Sequence, residues 1–134
     1  MKVADVQRNA MCAALVSAID AGTPPGRLEI RTGSAPTNTT DADSGTLLAT
    51  LLFSATAFAA PGAGIAVANA ISPDTDVDSN GLAGHFRIKN AAGVVIMQGS
   101  VGTGSGDINF NSVNFVQHGT CAIVSLTATV PAGS

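Results

Sequence analysis

The sequence predicts a mainly β protein: an antiparallel β-sandwich or jelly roll of about 7–8 strands, preceded by one N-terminal α-helix. Three observations carry that expectation. Apolar residues recur every second position from residue 27 onward, the period of a half-buried strand. Turn signals rich in Gly, Pro, Asn and Asp recur at about ten-residue intervals, too close together for intervening helices. Charge is scarce: six Lys and Arg and nine Asp and Glu in 134 residues, with Glu29 the single Glu. Surface helices draw on Glu, Lys and Arg, so a strong helix bundle is not expected. The organisation expected is a helical segment over 1–22 followed by one β domain over 23–134.

The elements follow in chain order. Val3, Val6, Ala10, Met11, Ala14, Leu15, Ala18 and Ile19 recur at three- and four-residue steps, which predicts an amphipathic helix over Ala4–Ala21. Gly22, Pro24 and Pro25 stop it. Arg27–Arg31 alternates charged with apolar, which predicts a strand with Leu28 and Ile30 buried and Arg27, Glu29 and Arg31 in solvent. A turn-rich loop occupies Gly33–Gly45. Leu47–Phe53 is apolar on both faces, as an inner strand requires. After a Pro-Gly turn at Ala60–Gly64, Ile65, Val67 and Ile71 are expected to line one face of a small-residue strand. Leu82–Asn90 should point Phe86 and Ile88 inward and His85, Arg87 and Lys89 outward. Ala91, Ala92 and Gly93 read as a tight hairpin with a left-handed Gly. Val94–Val101 returns, and the Gly-rich stretch Gly102–Gly106 breaks the strand. Asp107–Phe115 is a strand interrupted by a bulge or bend where the parity slips. Thr120–Val130 closes the domain with Ala122, Val124, Leu126, Ala128 and Val130 on one face.

Composition also limits function. Six dispersed cations do not make a phosphate-neutralising patch, so nucleic acid is not an expected partner. The thirty residues between Asp43 and Asp74 carry no charge and reach the length of a membrane span. Pro61, Gly62, Gly64 and Asn69 interrupt them and no Lys or Arg flanks them, so no membrane segment is expected. Cys12 and Cys121 lack metal-ligand spacing and read as two buried thiols acting as small hydrophobes.

Candidate chemistry is sparse. Asp76, Asp78 and Asn80 followed by Gly81 match the first half of a calcium loop, but the position that should hold a bidentate Glu is Arg87. The string reads instead as an Asx/Gly turn into the Leu82 strand. The Gly102–Gly106 stretch precedes Asp107 and a strand rather than a helix N-terminus with a Lys, so it is a turn and not a phosphate cradle. His85 and His118 stand in different strands without a partner Cys or Glu at fixed spacing. No catalytic residue, metal ligand or cofactor-binding residue is therefore named, no cofactor is expected, and the chain reads as a non-enzyme.

Taken in order, several strings resemble one family: the Ala-rich N-terminal helix, Leu28–Gly33, Asp41–Ala49, Ala57-Phe58, Ile65–Ile71, Phe86–Lys89, Met97–Gly102 and Asp107–Phe110. Together they are similar to the jelly-roll cement, or decoration, proteins that bind the outside of an HK97-like shell in tailed bacteriophages such as a Bordetella phage. The resemblance implies a virion structural protein on the capsid exterior, made in the bacterial host cytoplasm. It would stabilise the shell by bridging neighbouring subunits of the major capsid protein, its partner, and would self-associate as a homodimer or a higher symmetric assembly. It implies no catalytic residues. The edge strands and the N-terminal helix are the natural contact elements, the edges because their backbone groups are unpaired. A tail- or fibre-associated β-sandwich is the alternative within the virion. A carbohydrate-binding or adhesive module is a weaker one, since the chain has no Trp or Tyr on which a sugar could stack.

Overall fold

In a computed structural model, which describes residues 1–23 and 25–132, the Ala-rich start forms a helix, α1, over Asp5–Ser17, continued by a 3-10 turn at Ala18–Asp20. The helix thus begins and ends within the span its periodicity predicts; Pro24, one of the predicted stop residues, lies outside the described residues. Among the described residues no side chain caps its N-terminus, but Asp5 sits in the first turn, where a carboxylate complements the helix dipole, and pairs with Arg8 at 2.7 Å. Cys12, Val16 and Ile19 form the buried stripe. Three polar ties fix the helix to the strands beneath it. Arg8 Nε donates to the Val130 carbonyl at 3.1 Å, Asn9 Oδ1 accepts from the Gly64 amide at 2.8 Å, and the Cys12 thiol lies 3.6 Å from the Ala128 carbonyl.

Eight strands follow: β1 Arg27–Thr32, β2 Leu47–Leu52, β3 Ile65–Val67, β4 Gly81–Lys89, β5 Val95–Gly102, β6 Ile108–Asn109, β7 Asn114–Phe115 and β8 Thr127–Thr129. The main sheet has the order β2-β1-β4-β5-β6, with β7 pairing the first residues of β4; β3 and β8 form a second, two-stranded sheet. All pairings are antiparallel except β5 with β6. The fold is therefore mainly β and mostly antiparallel, with one N-terminal helix, as the sequence predicts. The charge-free stretch between Asp43 and Asp74 holds β2 and β3, and among the described residues no helix is long and apolar enough to cross a membrane.

The core lies between the inner face of the main sheet, the small sheet and α1. Leu28, Ile30, Leu48, Leu51 and Ile88 are fully buried there with Ile19 of the helical segment. Each such side chain contributes about 1.5–3 kcal/mol by leaving water. Phe53 and Phe58 meet at 5.9 Å between ring centroids, and Phe110 and Phe115 meet edge-on at 5.5 Å. Cys12 and Cys121 are free, buried thiols. Burial, with the charge of Asp74 adding to it, pushes the Cys121 thiol up to about 11.

Local turns agree with their sequence signals. Gly93 has φ 89°, and the Asn90 carbonyl and side-chain oxygen accept from the Gly93 and Val94 amides at 3.0 Å, closing the predicted hairpin. The Asp107–Phe115 segment splits into β6 and β7, as its parity slip predicts.

Two side-chain orientations are corrected. In β3, Ile65 and Val67 share one face as expected, but that face is exposed and Ala66 takes the core side, while Ile71 lies beyond the strand. The cause is the two-residue turn Ala63-Gly64, where both φ angles are positive and Gly62 and Ile65 exchange backbone hydrogen bonds at 2.9 Å. That turn sets the register, and a one-residue offset sends every side chain to the other face. In the last segment, the predicted strand over Thr120–Val130 shrinks to β8. The chain bends at Val124, whose side chain is fully exposed rather than aligned with Leu126 and Ala128.

Candidate functional site

The outer face of the main sheet departs most from expectation. Arg27, Glu29 and Arg31 on β1 alternate with Leu28 and Ile30 as predicted, and Arg87 and Lys89 stand beside them on β4. Yet Glu29, His85, Arg87 and Lys89 are buried, with Arg87 only 1% exposed. The solvent face predicted for these residues is closed by the loop between β1 and β2, which folds back across the sheet. Four of the six Lys and Arg side chains converge here around two carboxylates, so the cations are not dispersed as the sequence suggests.

Asp43 of the loop is the centre of the cluster. Its carboxylate takes Arg87 Nη1 at 2.7 Å, Lys89 Nζ at 2.7 Å and Arg31 Nη2 at 3.0 Å. Glu29, from the sheet side, takes Arg27 Nε at 2.9 Å, Arg31 Nη2 at 3.0 Å and Lys89 Nζ at 3.0 Å. Arg31 and Lys89 thus join the two carboxylates. Burial alone would raise both acids; for Asp43 the hydrogen bonds from Lys89 and Arg87 and the charge of Arg31 outweigh it and hold the carboxyl at about 2. Glu29 is lowered in the same way, burial being overcome by hydrogen bonds from Arg27, Lys89 and Arg31.

Arg87 anchors the loop as much as it pairs with Asp43. Its Nη1 also donates to the Asp41 carbonyl at 3.0 Å, its Nη2 to the carbonyls of Thr39 at 3.0 Å and Asn38 at 3.4 Å, and its Nε to Gln98 Oε1 at 3.1 Å. Gln98 in turn donates to the Pro36 carbonyl at 2.6 Å. His85 holds the loop's first residue: Nδ1 lies 2.9 Å from the Gly33 carbonyl, an acceptor, so Nδ1 carries the proton, while the buried Nε2 has no partner among the described residues. A shallow concavity of about 400 Å³ remains between Thr39–Asp43 and the Gly93–Val95 turn, with Arg87 and Lys89 in its wall. Chemically the cluster is a clasp. Its acids are held ionised, the reverse of the tuning toward neutral pH that proton-transferring carboxylates need.

The other sequence candidates stay apart from this cluster. In the Asp74–Gly81 turn, Asp74 accepts from the amides of Thr50 at 2.8 Å and Asp76 at 2.9 Å, and Asn80 accepts from the Gln117 amide at 2.8 Å. Asp76 pairs with His118 Nδ1 at 2.6 Å on the open surface. The side chains serve the turn and its neighbours, and among the described residues no group of three His, Cys, Asp or Glu is placed to hold a metal ion. The Gly102–Gly106 stretch is tied by Asn109, whose side chain bonds both backbone groups of Gly106 at 2.9 Å.

The predicted contact elements divide. The outer edge of β2 is covered: the Ser72 amide donates to the Leu52 carbonyl and the Asp78 amide to the Leu48 carbonyl, each at 2.8 Å. At the opposite end, β6 faces an open groove of about 420 Å³ between Asp107–Asn111 and Ala122–Thr127. Along α1, Val6 is 73% and Met11 45% exposed, beside exposed Ala10 and Ala14. These two surfaces are the candidate interfaces. The signal for the clasp that the sequence reading missed is loop length: thirteen residues, Gly33–Gly45, is long for a hairpin connection, commonly about 2–5 residues. The loop also carries two acids, Asp41 and Asp43, of which Asp43 reaches the strand cations.

Comparison with protein-family models, curated proteins and solved structures gives no match.

Proposed function

We propose that this chain is a non-enzymatic structural protein of a tailed-phage virion, binding the outside of the capsid and bridging major capsid protein subunits. The resemblance in the order of its sequence strings supports this identity. One structural observation supports the mode of action: most of the cations are withdrawn into the clasp, while the outer face of α1 and the groove beside β6 present weakly charged surface. Such a surface suits apolar, backbone-mediated contact with a protein lattice. Binding the assembled shell in preference to its free subunits stabilises the shell by mass action.

Shells lacking this protein, mixed with the purified chain, are expected to take it up and to disrupt at a higher temperature. Attachment should survive about 1 M NaCl, where the screening length falls to roughly 3 Å. Failure to bind, or release by that salt, contradicts the proposed contact.

A further inference from the structure

We propose that the concavity over the clasp, between Thr39–Asp43 and the Gly93–Val95 turn, is a binding site for inorganic phosphate. The proposal is independent of the shell-binding reading.

The first observation is charge. In a chain of net charge −3, this one region gathers four cations, Arg27, Arg31, Arg87 and Lys89, against three acids, Glu29, Asp41 and Asp43. Surplus positive charge beside a partly closed concavity of about 400 Å³ focuses its field on a small anion that enters. The sequence argument against a phosphate-neutralising patch is that the cations are dispersed, and folding removes that argument.

The second is unspent donors. Arg87 has none left: its five N–H groups go to Asp43, Gln98 and three loop carbonyls. Lys89 and Arg27 differ, and they stand opposite each other in the β1–β4 register. Lys89, whose side chain is 8% exposed, gives two of its three protons to Asp43 and Glu29. Arg27 gives its Nε to Glu29, and among the described residues neither of its Nη groups has an acceptor. Its Nη2 comes within 3.8 Å of where a Cβ on Gly93 would stand, so the guanidinium sits beside the concavity's Gly93 wall. A guanidinium fork next to an ammonium is a donor pair suited to phosphate oxygens.

The third is the acids in the same wall. Asp41 and Asp43 line the concavity with the hydroxyl-bearing Thr39 and Thr40. Asp43 is kept ionised by its three cations, and an ionised carboxylate accepts hydrogen bonds but donates none. It therefore repels sulfate, every oxygen of which is also an acceptor. Hydrogenphosphate retains an O–H at neutral pH. It can donate that proton to a carboxylate while its other oxygens accept from Lys89 and Arg27. A wall of mixed sign thus selects phosphate over sulfate, and the bound ion ties the loop to the β4–β5 turn.

The test compares melting temperatures of the full chain in phosphate, sulfate and chloride at one ionic strength and neutral pH. A partly exposed site with two donor cations should bind in the millimolar range, so about 10 mM phosphate should raise the melting temperature by about 4 °C over chloride. Sulfate should give well under half of that rise. Exclusion of salt from the protein surface would stabilise with sulfate as well as with phosphate, so the order separates a site from a solvent effect. Arg27→Gln should abolish the phosphate-specific rise. Val94→Glu should do the same without touching the clasp, since Val94 is 57% exposed in the concavity's wall. Lys2→Gln, on an exposed cation outside the region, should keep the rise. In an amide NMR titration of the parent chain with phosphate, residues 39–43 and 93–95 should shift together. Equal rises in phosphate and sulfate overturn the proposal, as does a phosphate-specific rise that survives Val94→Glu or is lost in Lys2→Gln. Amide shifts confined to other parts of the chain overturn it too.

Discussion

Replacing Arg87 by Met is expected to cost about 3–5 kcal/mol and to detach the loop over residues 34–44 from the sheet. Met keeps most of the volume but supplies none of the donors that now reach Asp43, Gln98 and the carbonyls of Asn38, Thr39 and Asp41. Removing one member of a buried ionic cluster is expensive because its partners stay desolvated. Here the partners have an escape: Asp43 is already 31% exposed, and an opened loop returns the carbonyls to water. That places the loss toward the lower end, about 3 kcal/mol, or roughly a 10 °C fall in melting temperature for a domain of this size. Hydrogen exchange should show residues 34–44 losing protection while the β1–β4 ladder keeps most of its own. A loss below about 1 kcal/mol with unchanged exchange would mean that the clasp is ornamental.

The second large effect is expected from Gly84→Ala. In an open strand position this exchange is mildly favourable, since Gly has more conformational freedom to lose. At residue 84 the added Cβ would run into the Gly33 carbonyl oxygen and stand 2.8 Å from the Gly33 N and C atoms. These are backbone atoms that no rotamer change removes. They are also held in place, because His85 Nδ1 donates to the same carbonyl. The register between β1 and β4 shifts at this point, with Arg31 opposite His85 and Thr32 opposite Ala83, so Gly84 is the extra residue of a bulge. Relieving the clash means displacing the start of the roofing loop, at an expected cost of about 3 kcal/mol, the upper range for overpacking. Thermal or denaturant unfolding measures it, and a variant as stable as the parent would show that the loop approaches the sheet less closely than described.

Both variants act on a feature that strand periodicity could not reveal. Alternation in Arg27–Arg31 and in β4 correctly separates two faces, and Leu28, Ile30, Phe86 and Ile88 lie in the core as it predicts. Polarity then assigns the opposite face to solvent, because isolated charges belong there. The exception needs a long-range partner: Asp43 lies far along the chain from Arg87 and Lys89, and nothing in the local pattern marks the pairing. The helix was legible because its stripe is local and Gly22 ends it. The inverted facing of β3 was not, because one turn residue more or less reverses it, and Ala63 adopts a positive φ that its residue type does not announce. The short β8 shows the remaining limit. Thr120–Val130 has full strand propensity, but a ladder needs a neighbour, and beyond a single bridge from Cys121 to Asp74 the described residues supply one only at Thr127–Thr129.

The proposed role is tested most directly by a cryo-EM map of the parent virion, with this chain fitted into its density. The account predicts hundreds of copies on the outside of the shell, repeated with its symmetry and spanning adjacent capsid subunits. A ring of about three, six or twelve copies, the closed cyclic arrangement of a tail, or no density outside the shell, would contradict it.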